Sequence, residues 1–184
     1  MERKFTFRLF PTEEQKKFFD INFYCSRVVY EYFLKKIKYD EEVKKLEFGK
    51  SIFEFGYDKI LTQLKKQNDF SFLKEADSKS LQGAVNKLFH DVHNSREYHG
   101  IKYPVYKLLK NQKNLYRIMQ NLNEKSIYLC SYGLKVPKID VVQLNQTHYI
   151  SSSWKITKVD IYQTYTDRYY AKITFDCGDE EEEK

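Results

Sequence analysis

The chain changes from a strand pattern to a helix pattern at one well-marked point near its N-terminus. Residues 4–10 alternate between apolar and polar side chains, as a half-buried strand does. Pro11 interrupts that pattern, and Thr12 with Gln15 forms a T-x-x-Q capping box, in which each side chain satisfies a backbone N–H at the start of a helix. The sequence therefore predicts a strand that ends at residue 10 and a helix that begins at Glu13.

Helical periodicity continues through the middle of the chain. Apolar residues recur at three- and four-residue steps in residues 13–48, and residues 22–23 predict a break between two helices. A third helix is predicted around residues 60–64, a turn at residues 68–72 and a fourth helix at residues 79–94. The middle of the chain is therefore predicted to be a helical bundle.

The alternation of apolar and polar side chains that is typical of strands returns after residue 100. Strands are predicted at residues 114–120, 126–131, 133–137, 139–144, 154–163 and 169–176, with a hairpin tip at residues 166–167. We expect the first strand of the chain to complete the sheet that these later strands form. The predicted fold class is α+β: a small antiparallel β-barrel with an inserted helical bundle.

The same patterns divide the chain into three predicted parts. Residues 1–10 and 101–177 are assigned to the barrel domain, and residues 11–100 to an inserted helical lobe. Residues 178–184 are predicted to be a disordered acidic tail, because a short run of like charges cannot bury apolar surface.

The charge of the chain favours polyanionic partners. Of 32 basic and 26 acidic residues, one basic and five acidic lie in residues 179–184, which leaves 31 and 21, a net charge of +10, for the first 178 residues. Such an excess favours nucleic acid through phosphate neutralisation and counterion release, with a well-solvated surface as the alternative. The 16 Tyr and 14 Phe residues add aromatic faces on which bases can stack.

Cysteine spacing and hydropathy give expectations about compartment and cofactors. Cys25, Cys130 and Cys177 are scattered without a C-x-x-C spacing, and the four histidines form no H-E-x-x-H motif, so no metal or other cofactor is predicted. No apolar run approaches the ~20 residues needed to cross a bilayer, and no signal peptide opens the chain. We therefore expect a cytoplasmic protein with reduced thiols and no membrane partner.

The predicted fourth helix carries a polar ridge opposite its apolar stripe. The ridge includes no carboxylate, and its members lie three or four residues apart: Lys79, Gln82, Asn86, His90 and His93. These residue types donate hydrogen bonds to phosphates and base edges. The ridge favours a nucleic-acid contact, with an ordinary solvated helix face as the alternative. A basic, aromatic segment follows at residues 101–113.

Several strings of the chain are similar, in order, to those of one protein family. The pattern R-x-Y-P-T-x-E-Q, followed by C-x-R-x-x-Y-N, corresponds to Arg8, Phe10, Pro11, Thr12, Glu14, Gln15, Cys25, Arg27 and Tyr30, with Glu31 in place of the usual Asn. Further similar strings lie at residues 103–107, 116–121, 134–139, 156–159 and 168–173. Together they resemble the TnpB/OrfB family, the transposon-borne ancestors of compact type V CRISPR nucleases. Val105 replaces a usual Arg, and residues 39–77 match nothing in the family pattern.

The resemblance implies a fold and a function. In the family this region is a wedge barrel, OB-like, with an inserted helical recognition lobe that grips a guide RNA and reads a short motif beside the DNA target. The family's RuvC-like nuclease carries a G-I-D motif and a C-x-x-C zinc ribbon, and neither motif occurs in this sequence. The resulting hypothesis is a nuclease-lacking protein, not an enzyme, that holds a structured guide-like RNA and inhibits or regulates a TnpB or type V CRISPR system. Duplex DNA and a related nuclease are its further candidate partners.

Eleven residues are the candidate nucleic-acid contacts. Lys79, Lys102 and Lys107 are expected to bind phosphates, and Gln82, Asn86, Gln120 and Asn121 to read base edges. Arg8, Arg27, Tyr103 and Arg117 complete the set. For Arg27 a structural ion pair in the helix bundle is the alternative, and for Tyr103 a place in the core.

Other functions stay open at this stage. One is a metal-independent ribonuclease that processes a guide RNA, with His90, His93 and His99 as general acid and base and Lys102 or Lys107 stabilising the phosphorane. Another is a DNA-binding transcriptional regulator that uses residues 13–39 as a helix-turn-helix. Half of a split RNA-guided nuclease and a protein-interaction domain with incidental charge are the remaining two.

Overall fold

A computed structural model describes residues 1–47, 50, 52, 56–105, 114–121, 123–146 and 148–178. These residues form an α+β protein, as predicted, and none of their helices is both long and apolar enough to cross a bilayer. The helices are α1 (Glu13–Glu42), α2 (Tyr57–Leu64), a 3-10 helix (Asn68–Lys74) and α3 (Ser78–Glu97). The strands are β1 (Glu2–Phe10), β2 (Leu115–Met119), β3 (Tyr128–Cys130), β4 (Gly133–Lys135), β5 (Val142–Leu144), β6 (Lys155–Gln163) and β7 (Tyr169–Asp176).

The capping box at the start of α1 is confirmed. The Thr12 backbone N–H donates to Gln15 Oε1 at 3.0 Å, and the Gln15 backbone N–H donates to Thr12 Oγ1 at 3.3 Å. Gln15 Nε2 also donates to the carbonyls of Asp140 and Val141, each at 3.3 Å. Gln15 of the capping box therefore also holds the segment that leads into β5.

The predicted break at residues 22–23 is wrong, because α1 is continuous from Glu13 to Glu42. Asn22 is fully buried, and its Oδ1 accepts hydrogen bonds from the Asp77 backbone N–H at 3.0 Å and from Ser80 Oγ at 2.7 Å. A polar residue that commonly ends a helix instead lies inside one, since its amide satisfies the first turn of α3. Tertiary hydrogen bonding thus overrides a weak local signal.

All seven strands join one antiparallel sheet in the order β2-β6-β7-β1-β5-β4-β3, which curls into a half-barrel. β1 lies between β7 and β5, so the first strand completes the sheet of the last ones, as predicted. β4 ends earlier and β5 begins later than predicted, because Lys138 adopts a φ of 69° in the turn between them. The wedge or OB-like identity of this half-barrel stays a prediction.

Two compact units divide the chain. The first, called here the sheet unit, comprises Met1–Asp20 and Lys113–Lys184, and the second, the helical unit, comprises Ile21–Gln112. The first turns of α1 therefore belong to the sheet unit. A helical lobe inserted at residues 11–100 stays a prediction, and the predicted disordered tail lies outside the described residues except for Gly178.

Each unit has its own apolar core. In the sheet unit, Phe7, Val159, Ile161 and Ile173 are fully buried on one face of the sheet, and Phe19 of α1 packs over that face. The Phe19 ring lies 5.9 Å from the ring of Tyr116 and 5.8 Å from that of Tyr169. In the helical unit, five residues of the predicted apolar stripe of α3 are buried in the core: Leu81, Ala84, Val85, Leu88 and Val92. Phe89, the sixth residue of the predicted stripe, is partly buried against it.

Candidate nucleic-acid interface

The face of the sheet that points away from its apolar core carries a row of aromatic and basic side chains. Arg8 on β1 is paired with Tyr170 on β7, and Tyr170 is paired with Tyr162 on β6. Residues paired across antiparallel strands project from the same face, so these three side chains are neighbours. The next rows add Lys172, Lys4 and Lys158. We call these six side chains the outer face: Lys4, Arg8, Lys158, Tyr162, Tyr170 and Lys172.

A stacked tyrosine pair forms the centre of the outer face. The rings of Tyr162 and Tyr170 lie 5.5 Å apart with an angle of 17° between their planes, and both side chains are half-buried. Burial, with Tyr170 nearby, raises the pKa of the Tyr162 hydroxyl. Next to the pair, the Arg8 guanidinium lies 5.1 Å from the ring of Phe10, and both residues are exposed. Flat aromatic surfaces flanked by guanidinium groups suit the stacking of nucleobases.

The electrostatics of the outer face are those of a cation cluster. Partial burial and the nearby Arg117 lower the pKa of the Lys158 ammonium group, and Lys4 acts in the same direction, whereas Asp160 and Glu2 oppose the shift. Lys4 Nζ lies 3.7 Å from Glu2 Oε2, and Asp160 is paired with Lys172 across the strands, so the cations of this face are partly balanced within the protein. Phosphate groups can add contacts at the exposed side chains of Lys4, Arg8 and Lys172.

Arg117 takes part in this cluster through an ion pair. Its Nε donates to Asp160 Oδ1 at 2.6 Å and its Nη2 donates to Asp160 Oδ2 at 2.9 Å, in a bidentate arrangement that is buried on both sides. Asp160 therefore neutralises Arg117 internally. The predicted contact of Arg117 with nucleic acid stays a prediction, and the structure assigns the side chain a structural partner.

The other sheet-unit candidates differ in their surroundings. Arg8 is exposed on β1, as the alternation of the sequence predicts. Gln120 is buried, and its Nε2 donates to the carbonyls of Ile127 at 3.0 Å and Ile156 at 3.3 Å, while its Oε1 accepts from the Ile127 N–H at 2.6 Å. Asn121 is exposed, with its Nδ2 at 3.5 Å from Glu124 Oε1. The Gln120 amide is thus engaged within the fold, whereas the Asn121 amide is accessible.

The residues of the polar ridge lie on α3, and one of them is bonded to a carboxylate of another helix. Gln82 Nε2 donates to Asp58 Oδ1 of α2 at 2.8 Å. Asp58 lies on α2, so the spacing of residues on α3 alone could not predict this contact. Lys79 is half-buried and Asn86 is exposed. Their predicted contacts with nucleic acid stay predictions.

The histidines and the segment after α3 complete the predicted set. His90 Nδ1 lies 3.1 Å from Asn94 Nδ2 and 4.0 Å from Asp91 Oδ1, and His93 and His99 are exposed. Lys102 is exposed.

Tyr103 packs against the helical core, and its hydroxyl donates to Glu41 Oε2 at 3.4 Å. Burial, followed by the charge of Glu41, raises the pKa of Tyr103. Arg27 is half-buried on α1, and Lys107 lies outside the described residues.

Five residues of the outer face were not among the predicted contacts: Lys4, Lys158, Tyr162, Tyr170 and Lys172. The alternation of β7 places Tyr170 and Lys172 on one side, which is a signal that the sequence does contain. Their proximity to Lys158 and Tyr162 depends on the register between β6 and β7. That register cannot be read from either strand alone.

The N-terminal segment that carries Arg8 is similar to a known class of domain. Residues 1–44, a minority of the 184, match the model of a helix-turn-helix domain. The particular model is that of OrfB proteins of the IS605 type, which confirms the predicted TnpB/OrfB resemblance for this N-terminal region. No curated protein matches the chain.

The matched segment consists of β1 and the continuous helix α1, so residues 13–39 do not form two helices joined by a turn. The family match supports nucleic-acid binding in general. It favours DNA as the partner, and RNA binding stays a prediction. Within the described part of the chain, no group of three or more His, Cys, Asp or Glu residues could hold a metal ion.

Proposed function

We propose that this protein binds a structured, guide-like RNA and thereby inhibits or regulates a TnpB or type V CRISPR-type system without cleaving nucleic acid. The observation that carries the proposal is the outer face, where a stacked tyrosine pair lies among four cationic side chains. The match of residues 1–44 to an OrfB domain supports nucleic acid as the partner.

The chemistry of the outer face favours RNA with unpaired nucleotides over a regular duplex. Lys4, Lys158 and Lys172 can neutralise phosphates in any nucleic acid. Aromatic faces add affinity only for bases that are not already stacked in a helix, as in the loops and bulges of a folded RNA. A sheet that offers aromatic rings within a cationic surround is therefore suited to structured RNA. In a regular duplex, the same tyrosines would have no exposed base face to contact.

Regulation of the nuclease would follow from the binding of its RNA to this protein. An RNA held on this protein is withheld from a nuclease that needs the same RNA, so binding alone is sufficient for inhibition. The same binding could instead assemble half of a split nuclease. Adding the purified protein to a reconstituted TnpB reaction separates the two, because a competitor lowers cleavage in proportion to RNA captured and a subunit raises it.

The first experiment is to purify the protein from its host and sequence any RNA that copurifies. That RNA is then used in mobility-shift assays with wild-type protein and with Arg8→Ala, Lys172→Ala and the control Lys66→Ala. We expect each outer-face variant to weaken binding about fivefold and to reduce the salt slope by about one unit, since each removes about one phosphate contact. Lys66 is exposed on the helical unit and its loss should change little.

Duplex DNA is the second candidate ligand, because the family match is to a helix-turn-helix domain. Competition between the copurified RNA and duplex DNA at the same salt concentration decides between them. A protein that binds neither at low ionic strength would overturn the proposed function. A protein that prefers a defined DNA duplex would replace it with transcriptional regulation.

A further inference from the structure

A cleft of about 690 Å³ opens in the sheet unit between β3 and the beginning of β6. The two edge strands of the half-barrel, β2 and β3, are consecutive in the chain and are joined by residues 120–127. The cleft lies beside this connection, since Gln120, Lys125 and Ile127 are among its lining residues. Its volume falls within the range of about 300–1,000 Å³ that is usual for ligand pockets.

The walls of this cleft are held in place by hydrogen bonds within the protein. The Gln120 amide donates to the Ile156 carbonyl on β6 and exchanges hydrogen bonds with the N–H and carbonyl of Ile127, just before β3. Ser126 Oγ donates to Gln120 Oε1 at 3.1 Å. One buried amide therefore connects both sides of the opening. Walls that are fixed by such hydrogen bonds lose little entropy on binding.

The lining combines an apolar floor with a cationic rim. Ile127, Ile156 and Phe175 are buried at the floor, and two aromatic side chains, Tyr128 and Trp154, form further parts of the wall. Tyr128 is 46% exposed, so its ring is available to a ligand. Trp154 is half-buried, with the Arg3 guanidinium 4.9 Å from its ring.

The rim of the cleft carries Lys125 and Lys155, both exposed, against the single carboxylate of Glu124 among the described lining residues. The hydroxyls of residues 151–153 lie on the same lining. An aromatic face beside two cations matches a ligand with a flat ring and an attached anion. A nucleotide has that composition, with its base and its phosphate on adjoining groups.

We infer that this cleft binds one unpaired nucleotide of a single-stranded segment, with its base on Tyr128 and its phosphate between Lys125 and Lys155. The inference rests on the proposed function, because it names the part of the RNA that the sheet unit takes into a pocket. The cleft would be a second RNA contact, in addition to the outer face. An RNA would then be held both by its backbone, on the outer face, and by an extruded base, in the cleft.

Trp154 makes the inference directly measurable. It is the single tryptophan of the sequence and it lines the cleft, so fluorescence excited at the indole band reports on this site alone. We expect saturable quenching when a hexamer of oligoadenylate is added, and weaker quenching with AMP. Inorganic pyrophosphate supplies the charge without a base and should not reproduce the effect.

Two variants of Tyr128 separate stacking from a general structural effect. Tyr128→Ala is expected to weaken oligoadenylate binding about tenfold, the size usual for loss of one base-stacking residue. Tyr128→Phe retains the ring and should bind within about twofold of wild type. Replacing both Lys125 and Lys155 by Ala removes the single phosphate contact and should reduce the salt slope by about 0.7 to one unit. Equal quenching by pyrophosphate, or unchanged affinity in Tyr128→Ala, would overturn the nucleotide site.

Thiol alkylation provides a second readout of the same site. Cys130 lines the cleft and is half-buried, whereas Cys25 is buried and its pKa is raised to about 11 by burial and by Glu75. Peptide-level mass spectrometry after alkylation should show Cys130 as the more reactive of the two, with its reaction slowed by oligoadenylate. Unslowed alkylation at saturating oligoadenylate would contradict occupancy of the cleft.

Failure of the inference and failure of the proposed function are distinguishable. Lys66→Ala, on the helical unit and outside both the outer face and the cleft lining, should leave quenching by oligoadenylate unaltered. If folded RNA is shifted while no oligonucleotide quenches Trp154, the cleft inference fails and the proposed function stands. If oligoadenylate quenches Trp154 through Tyr128 while no folded RNA binds, the cleft is a nucleotide site and the proposed function fails.

Discussion

The sheet unit and the helical unit use their polar side chains in different ways. On the outer face of the sheet, strand register brings Lys158, Lys172 and the stacked tyrosines together, and the lowered pKa of Lys158 reflects burial and neighbouring cations. On the helical unit, several polar groups are engaged by partners within the protein, as Gln82 is by Asp58 and Tyr103 by Glu41. The comparison teaches that a polar residue indicates a binding surface only when the fold leaves its hydrogen-bonding capacity unused.

The largest expected effect concerns the stability of the sheet unit. Arg117→Ala leaves the buried carboxylate of Asp160 without its bidentate partner, which costs about 3–5 kcal/mol in comparable buried pairs. The measurement is urea unfolding followed by Trp154 fluorescence, which reports on the sheet unit. The double variant Arg117→Met with Asp160→Leu removes both charges and should recover most of the loss. Equal destabilisation by the single and double variants would mean that Arg117 acts through packing instead.

RNA binding should depend more strongly on the sheet than on the helices. Reversing one exposed charge on the outer face, Lys172→Glu, is expected to weaken affinity for the copurified RNA about 30-fold, because it removes a phosphate contact and adds repulsion. The matched reversal on α3, Lys79→Glu, should cost about threefold. Mobility shifts at one fixed salt concentration measure both. A larger loss for Lys79→Glu would reverse the comparison between the two units.

The third prediction tests the burial of Asn22 in the helical unit. Asn22→Ala removes the acceptor for the Asp77 N–H and for Ser80 Oγ, and because Ser80 Oγ retains the Asp77 carbonyl, the buried Asp77 N–H is the donor left unsatisfied, which costs about 1–3 kcal/mol. Far-UV circular dichroism during urea unfolding follows the helices and provides the measurement. Ser80→Ala removes one of the two donors and leaves Asn22 Oδ1 accepting from the Asp77 N–H, so we expect it to cost less. An Asn22→Ala protein as stable as wild type would show that a water molecule replaces the amide oxygen.

The fold was largely predictable because its signals are local. Alternation located all seven strands, and the capping box located the start of α1. The break at residues 22–23 was misplaced because Asn is a weak helix former in isolation, and the hydrogen bonds that hold Asn22 inside α1 come from residues more than fifty positions away. Local propensity cannot include such partners.

The candidate site was less predictable for the same reason. Arg8 could be placed on an exposed strand face from the alternation of apolar and polar residues in β1 alone. The pairing of Tyr162 with Tyr170 depends on the register of a hairpin whose tip includes Asp167 at a φ of 54°. In addition, a sequence does not distinguish an amide side chain that reads a base from one that is hydrogen-bonded within the fold. Gln120 and Asn121 are adjacent, yet one is bonded within the fold and the other is exposed.

The smallest expected effect is a pH dependence that belongs to the outer face alone. Because the pKa of Lys158 is lowered by burial and by Arg117, its ammonium group loses its proton at a pH below the ordinary range for a lysine. As pH rises from 7 towards the ordinary lysine pKa of about 10.4, the outer face should lose this phosphate-binding charge, and RNA affinity should fall by about two- to threefold. Arginine keeps its charge throughout this range, so Lys158→Arg should abolish the dependence. Short incubations with the copurified RNA at fixed ionic strength measure it. A fall of equal size in Lys158→Arg would assign the pH dependence to another group and remove Lys158 from the set of phosphate contacts.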